Sequence, residues 1–193
     1  MIHLGAKPLA DFNEPIEMMK DCHRRIEHFL DVLRTVELRF GQGVLDDEGR
    51  RALLAALNYF ANSAPRHTAD EEQSLFPRMR HRSDADARAV LADIDRLEHD
   101  HVRCEACHAF VDQIVHQWLE VGQLDGVQQH RLRTVLDELA MIYAGHIHIE
   151  ETRVFAIASH VLNAGQLQEI GDEMRARRSL TKVETAPADP LKQ

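Results

Sequence analysis

Aromatic residues make up only 5% of this 193-residue sequence, glycine occurs 9 times and proline 6 times. Sheets and their tight turns draw heavily on those residue types, so the shortage argues against a sheet-rich fold and leaves helices as the main element. No apolar run approaches the roughly 18 residues that a membrane-spanning helix needs. Met1 to Ala10 lacks a basic start followed by an apolar stretch, so no signal sequence is expected. Cysteine is confined to Cys22, Cys104 and Cys107, an odd and small set that is no secreted disulfide framework; a reducing cytoplasm is the expected location. Positive charge is also in deficit, with 23 Lys and Arg against 32 Asp and Glu and a net charge of −9. Without a basic patch, nucleic acid and anionic membranes are not expected partners. G-x-S-x-G elements and Gly-rich phosphate loops are missing too, which leaves acyl transfer and hydrolysis without support.

What the sequence does hold is helical periodicity and histidine. Ile16, Met19, Ile26, Leu30, Leu33 and Leu38 mark a first helix from about Phe12 to Phe40, ended by Gly41-Gln-Gly43. A second starts near Asp46 or Asp47, acids suited to a helix N-terminus, and Pro77 marks its last turn. Pro65 interrupts it and predicts a kink. A polar connection, His81 to Asp86, leads to a third helix with Val90, Ile94, Leu97, Val111, Val115 and Trp118 on its apolar face, closed by Gly122. The fourth spans about Gly126 to His160, and a short helix from about Ala164 to Arg178 should cap the assembly. The reading is all-α: an antiparallel up-down four-helix bundle over residues 1–178, with a polar tail from Ser179 to Gln193.

Thirteen histidines are the anomaly, and several are placed by an internal repeat. His67-x-x-x-Glu71-Glu72-x-x-Leu75-Phe76 matches His146-x-x-x-Glu150-Glu151-x-x-Val154-Phe155, and Asp21-Cys22-His23-x-x-x-Glu27 matches His99-Asp100-His101-x-x-x-Glu105 at nearly the same offset. Two matches at nearly one offset, 79 and 78 residues, imply a duplicated helical hairpin. Residues i and i+4 of a helix share a face, their Cβ atoms about 5–6 Å apart, so each H-x-x-x-E can aim an imidazole and a carboxylate at one point. A lone histidine on a helix is normally a surface or core residue; the duplication is what favours metal ligation here. Four inward histidines with two carboxylates that can bridge suit a pair of iron or manganese ions better than zinc alone, and bundle interiors are where such pairs are built.

On these segments the sequence resembles the haemerythrins, in particular the bacterial HHE cation-binding subgroup, over about residues 15–178. The resemblance implies an oxo- or hydroxo-bridged pair of iron ions, for which zinc or manganese can substitute. His23 and His67 would hold one ion, His101 and His146 the other, and Glu71 and Glu150 would bridge them. Glu72 and Glu151, a 100° step around the helix, are expected to face outward. The sequence departs from the oxygen-carrying haemerythrins, which place H-x-x-x-H on the third helix, because Glu105 stands four residues after His101. Glu105, its repeat mate Glu27, and Tyr143, three residues before His146, are therefore candidate extra ligands or neighbours of the site. Extra carboxylates would favour the ferric state.

His3, His28, His81, His108, His116, His130 and His160 are read as solvated, and His99 and His148 as turned away from the site. Cys104 and Cys107 have C-x-x-C spacing but lie mid-helix without a second pair, so they are read as small buried residues. The expected partner is a small diatomic or peroxide ligand, bound or sensed. Any signalling output would pass through a separate partner protein. Turnover of peroxide or nitric oxide, and iron storage or delivery, are the alternatives. A homodimer along one helix face is compatible with the sequence, though no apolar stripe compels it.

Overall fold

A computed structural model describes residues 10–179, and among them there is no strand. Helix α1 spans Pro15–Phe40, and it starts at Pro15 because proline's missing N–H is no loss in a first helical turn. The second long helix is assembled from α2 (Asp47–Asn62), α3 (Ala64–Asp70), a π-helical segment (Glu71–Leu75) and α4 (Phe76–Arg80). Asp46 caps α2 by accepting the Gly49 N–H at 2.8 Å. The interruption that Pro65 predicts falls at Ser63, between α2 and α3. A short α5 (Ala85–Ala89) leads into α6 (Leu91–Val121), which ends on Gly122 in the left-handed region at φ 84°. The fourth long helix is α7 (Gly126–Ile149), a second π-helical segment (Glu150–Val154) and α8 (Phe155–Val161); Asp125 and Gln128 close its start as a reciprocal capping box. Helix α9 (Ala164–Arg177) is the expected capping helix. Of the expected polar tail only Ser179 is described; the rest lies outside the described residues.

The interior is split in two. One apolar layer gathers Leu33, Leu53, Val115, Trp118, Leu132 and Leu136 at one end of the bundle. The other gathers Met19, Phe76, Met79, Ile94, Leu97, Phe155 and Met174 where α9 covers the opposite end. Fully burying side chains of this size contributes about 1.5–3 kcal/mol each, so the two layers carry the stability and leave the polar layer between them free for another use.

Helix α9 is tied down by charge and by close backbone approach. Asp70, fully buried, accepts from Arg177 Nη1 at 2.9 Å and from Arg178 Nη2 at 2.6 Å. Arg78 reaches Glu173 at 2.9 Å, and the Ser74 hydroxyl bonds the same carboxylate. Gly171 lets the chain before α1 cross α9, since a Cβ there would sit 1.9 Å from the Phe12 carbonyl oxygen. Among the described residues no helix is long and apolar enough to cross a membrane.

Candidate metal centre

Six side chains from all four long helices meet in the polar layer: His23 on α1, His67 on α3, Glu71 and Glu150 at the heads of the π-helical segments, His101 on α6 and His146 on α7. Each long helix brings an apolar stripe to the interior, and the histidines replace one residue of it. On α1 the stripe runs Met19, His23, Ile26, Leu30 and Leu33, advancing alternately by four and three residues. The ligand atoms form two groups, His23 with His67 and His101 with His146, each including both Glu71 and Glu150 and each within a 4.8 Å span. His67 Nε2 lies 3.1 Å from Glu71 Oε1 and His101 Nε2 lies 3.4 Å from Glu71 Oε2, so the two oxygens of one carboxylate face different groups. Glu150 Oε2 lies 2.9 Å from His23 Nε2 and 3.3 Å from His146 Nε2.

None of these approaches has hydrogen-bond geometry. His23 Nε2 and both oxygens of Glu71 and of Glu150 are buried without a hydrogen-bond partner. An orphaned buried polar atom costs about 1–3 kcal/mol and more when charged, so five of them around one space would be an expensive defect in a purely structural core. They aim at common points between them, which fits a pair of cations. Burial opposes charge on His23, His67, His101, Glu71 and Glu150, with unequal results. It pushes His67 down to about 4, whereas the carboxylates override it at His23, held well above the ordinary imidazole value, and at His101, raised to about 9. Against the same burial, the histidines keep Glu71 well below the ordinary carboxylate range and Glu150 below it. A cation held here would displace protons from the cluster.

The second glutamate of each pair does not simply face water. Glu72 Oε1 lies 2.8 Å from His101 Nδ1, and Glu151 Oε1 lies 2.9 Å from His23 Nδ1. With Nδ1–H donated to a carboxylate, Nε2 keeps its lone pair for a metal, and the ring is fixed in orientation. Phe155 stacks on the His23 ring at 5.4 Å and Phe76 lies parallel to the His101 ring at 6.3 Å. Each half of the duplicated chain thus supports the other half's histidine. The expectation that these glutamates point outward needs that correction: about a third of each side chain is exposed, and the remainder reaches across the bundle. Replacing both in a Glu72→Ala/Glu151→Ala chain should lower metal affinity about 10–100-fold in chelator competition, with helix content unchanged. An affinity within threefold of the parent would show that they orient nothing.

Glu27 and Glu105 are exposed and belong to neither group. The inward stripe steps by three residues after each histidine, to Ile26 and Cys104, so the position four residues on rotates out. Tyr143 is buried but is also outside both groups, with its hydroxyl 2.8 Å from His108 Nε2. His108, read from sequence as solvated, is half-buried and stacks on Phe60 at 4.2 Å. Cys22, Cys104 and Cys107 are free thiols, the first two buried.

A cavity of about 650 Å³ opens onto the four histidines between α2–α3 and α6. Ile26, Leu57, Phe60 and Ala64 supply apolar wall, Cys104, His108 and Tyr143 polar wall, and Glu105 and Asp112 lie on its exposed side.

Comparison with known proteins fits this geometry. The family model described as hemerythrin HHE cation binding domain matches residues 14–158. An uncharacterized protein of Haemophilus influenzae is 30% identical over 184 residues, covering 92% of this chain and 97% of that one.

Proposed function

The chain belongs to the hemerythrin HHE cation-binding domain family, and on that premise we propose that it is a non-haem di-iron protein that binds O2, NO or a peroxide in the cavity above its buried cluster. One observation carries this reading: two imidazoles on either side of two shared carboxylates whose oxygens are buried and have no hydrogen-bond partner. His23 and His67 would hold one ion, His101 and His146 the other, and Glu71 and Glu150 both. Mixed imidazole and carboxylate donors suit iron, with manganese or zinc as substitutes.

When bound, the iron pair supplies redox-active centres at which a small ligand can be held. The chain's own residues do the rest. Glu72 and Glu151 set the imidazole tautomers of His101 and His23. The apolar layers on both sides keep bulk water from the carboxylates. Turnover of peroxide or nitric oxide is the second reading, favoured by a cavity far larger than a diatomic molecule requires.

The test is metal content and optical spectrum after aerobic iron loading. About two irons per chain, with a visible band that appears on adding NO or peroxide and reverses on its removal, is the expected result. Repeated consumption of the added ligand would favour turnover. Absence of bound iron after loading would overturn the di-iron reading.

A further inference from the structure

The duplication places equivalent residues around the two halves of the cluster, but one to two turns away from it the halves differ. Tyr143 in the second half corresponds to Ala64 in the first, Cys104 to Ile26 and His108 to Leu30. Five of these six line the cavity: Ala64 and Ile26 from the first half, and Tyr143, Cys104 and His108 from the second. The first half is apolar at this level; the second carries three polar side chains. The cavity's other acids and imidazoles are engaged elsewhere: the four histidines and Glu72 belong to the cluster, and Glu105 and Asp112 are exposed.

We infer that Tyr143, backed by His108, is the hydrogen-bond donor to the ligand in this cavity and selects for small ligands that accept a strong hydrogen bond, the class of peroxide and azide, over NO. The inference rests on the di-iron reading above and narrows it. Burial keeps His108 neutral, its pKa lowered to about 4, so the ring has one N–H and one bare nitrogen. With the proton on Nε2 it donates to the Tyr143 oxygen at 2.8 Å and leaves the phenol O–H free to donate. The phenol's other neighbour is the Cys104 thiol, also kept protonated by burial and a weak acceptor that a ligand oxygen or nitrogen displaces readily. Tyr143 sits three residues before His146 on α7, about one helical turn along the same face, and it lines the same cavity as the four histidines while standing outside both ligand groups. Ala64, small where its counterpart is large, leaves the opposite wall open for the ligand.

The test uses the iron-loaded full chain, with azide as probe for the ferric protein and NO for the ferrous one. Tyr143→Phe keeps the ring and loses the hydroxyl; His108→Phe keeps the stack on Phe60 and loses the backing hydrogen bond. Azide affinity should fall about tenfold or more in Tyr143→Phe and by a smaller factor in His108→Phe, as expected for loss of a hydrogen bond to a charged acceptor. NO affinity and iron content should stay within twofold of the parent. Unchanged azide affinity in Tyr143→Phe overturns the inference alone. An equal fall for azide and NO also overturns it, because a change of cavity shape would act on both. A parent chain that takes up no iron would sink the di-iron reading and this inference with it.

Discussion

A Glu71→Ala/Glu150→Ala chain is expected to retain less than about a tenth of the parent's metal after desalting, while keeping its helix content. Both carboxylates belong to both groups of converging side chains, so the double substitution takes two donors from each position and leaves only a pair of imidazoles. It also removes the four orphaned oxygens that make this layer costly in the absence of a cation, which offsets the two small voids left behind. The fold should therefore survive, because the apolar layers on either side are untouched. Metal analysis with circular dichroism on the same sample reads both effects. Metal content within twofold of the parent would mean that the cation sits elsewhere; loss of helix would mean that the carboxylates are structural.

The second large effect is on stability. Arg177 and Arg178 approach Asp70 from the end of α9, and Asp70 stands immediately before Glu71. Burial pushes the Asp70 carboxyl up and the two guanidiniums hold it down, so removing both leaves a buried charge without compensation. An Arg177→Ala/Arg178→Ala chain should lose about 3–5 kcal/mol, the usual cost of stripping partners from a buried ion. For a domain of this size that is a fall of about 10 °C in melting temperature. Adding Asp70→Asn to the double variant should restore much of the loss, because a neutral amide tolerates burial better than an unpaired carboxylate. A loss below about 1 kcal/mol, or no recovery with Asp70→Asn, would show that α9 is held by its apolar face and not by this clamp.

Much of this was legible in the sequence, and the reasons are specific. The long helices declared themselves through Asp46, Gly122 and the apolar stripes, and their ends fall within a few residues of expectation because caps and breakers act locally. The six converging side chains were legible because the duplication repeated their spacing. The family match over residues 14–158 supports the resemblance on which the ligand roles rest.

What was not legible depends on tertiary position. The π-helical segments leave no distinct trace: the consecutive buried run Ser74-Leu75-Phe76 has a counterpart in Asp21-Cys22-His23 of the regular helix α1. The partnership of Glu72 with His101 joins residues 29 apart and that of Glu151 with His23 joins residues 128 apart, so neither has a local signature. Phe76 and Phe155 were visible as part of the repeat, but nothing in the repeat says that each covers the other half's imidazole. Glu27 and Glu105 misled for a related reason: the i+4 rule that places Glu71 beside His67 was carried to α1 and α6, where the inward stripe advances by three instead.

The reciprocal support between halves also bears on timing during synthesis. The first hairpin emerges with His23, His67 and Glu71 in place, yet His23 lacks the Glu151 and Phe155 that fix its ring, and the shared Glu150 does not yet exist. A nascent chain consequently offers no finished cage to a passing ion until the fourth helix has been translated and docked. On the metal-binding reading, the choice among cellular metals would fall to the assembled bundle and not to a half-made hairpin that would accept whichever ion binds imidazole most tightly.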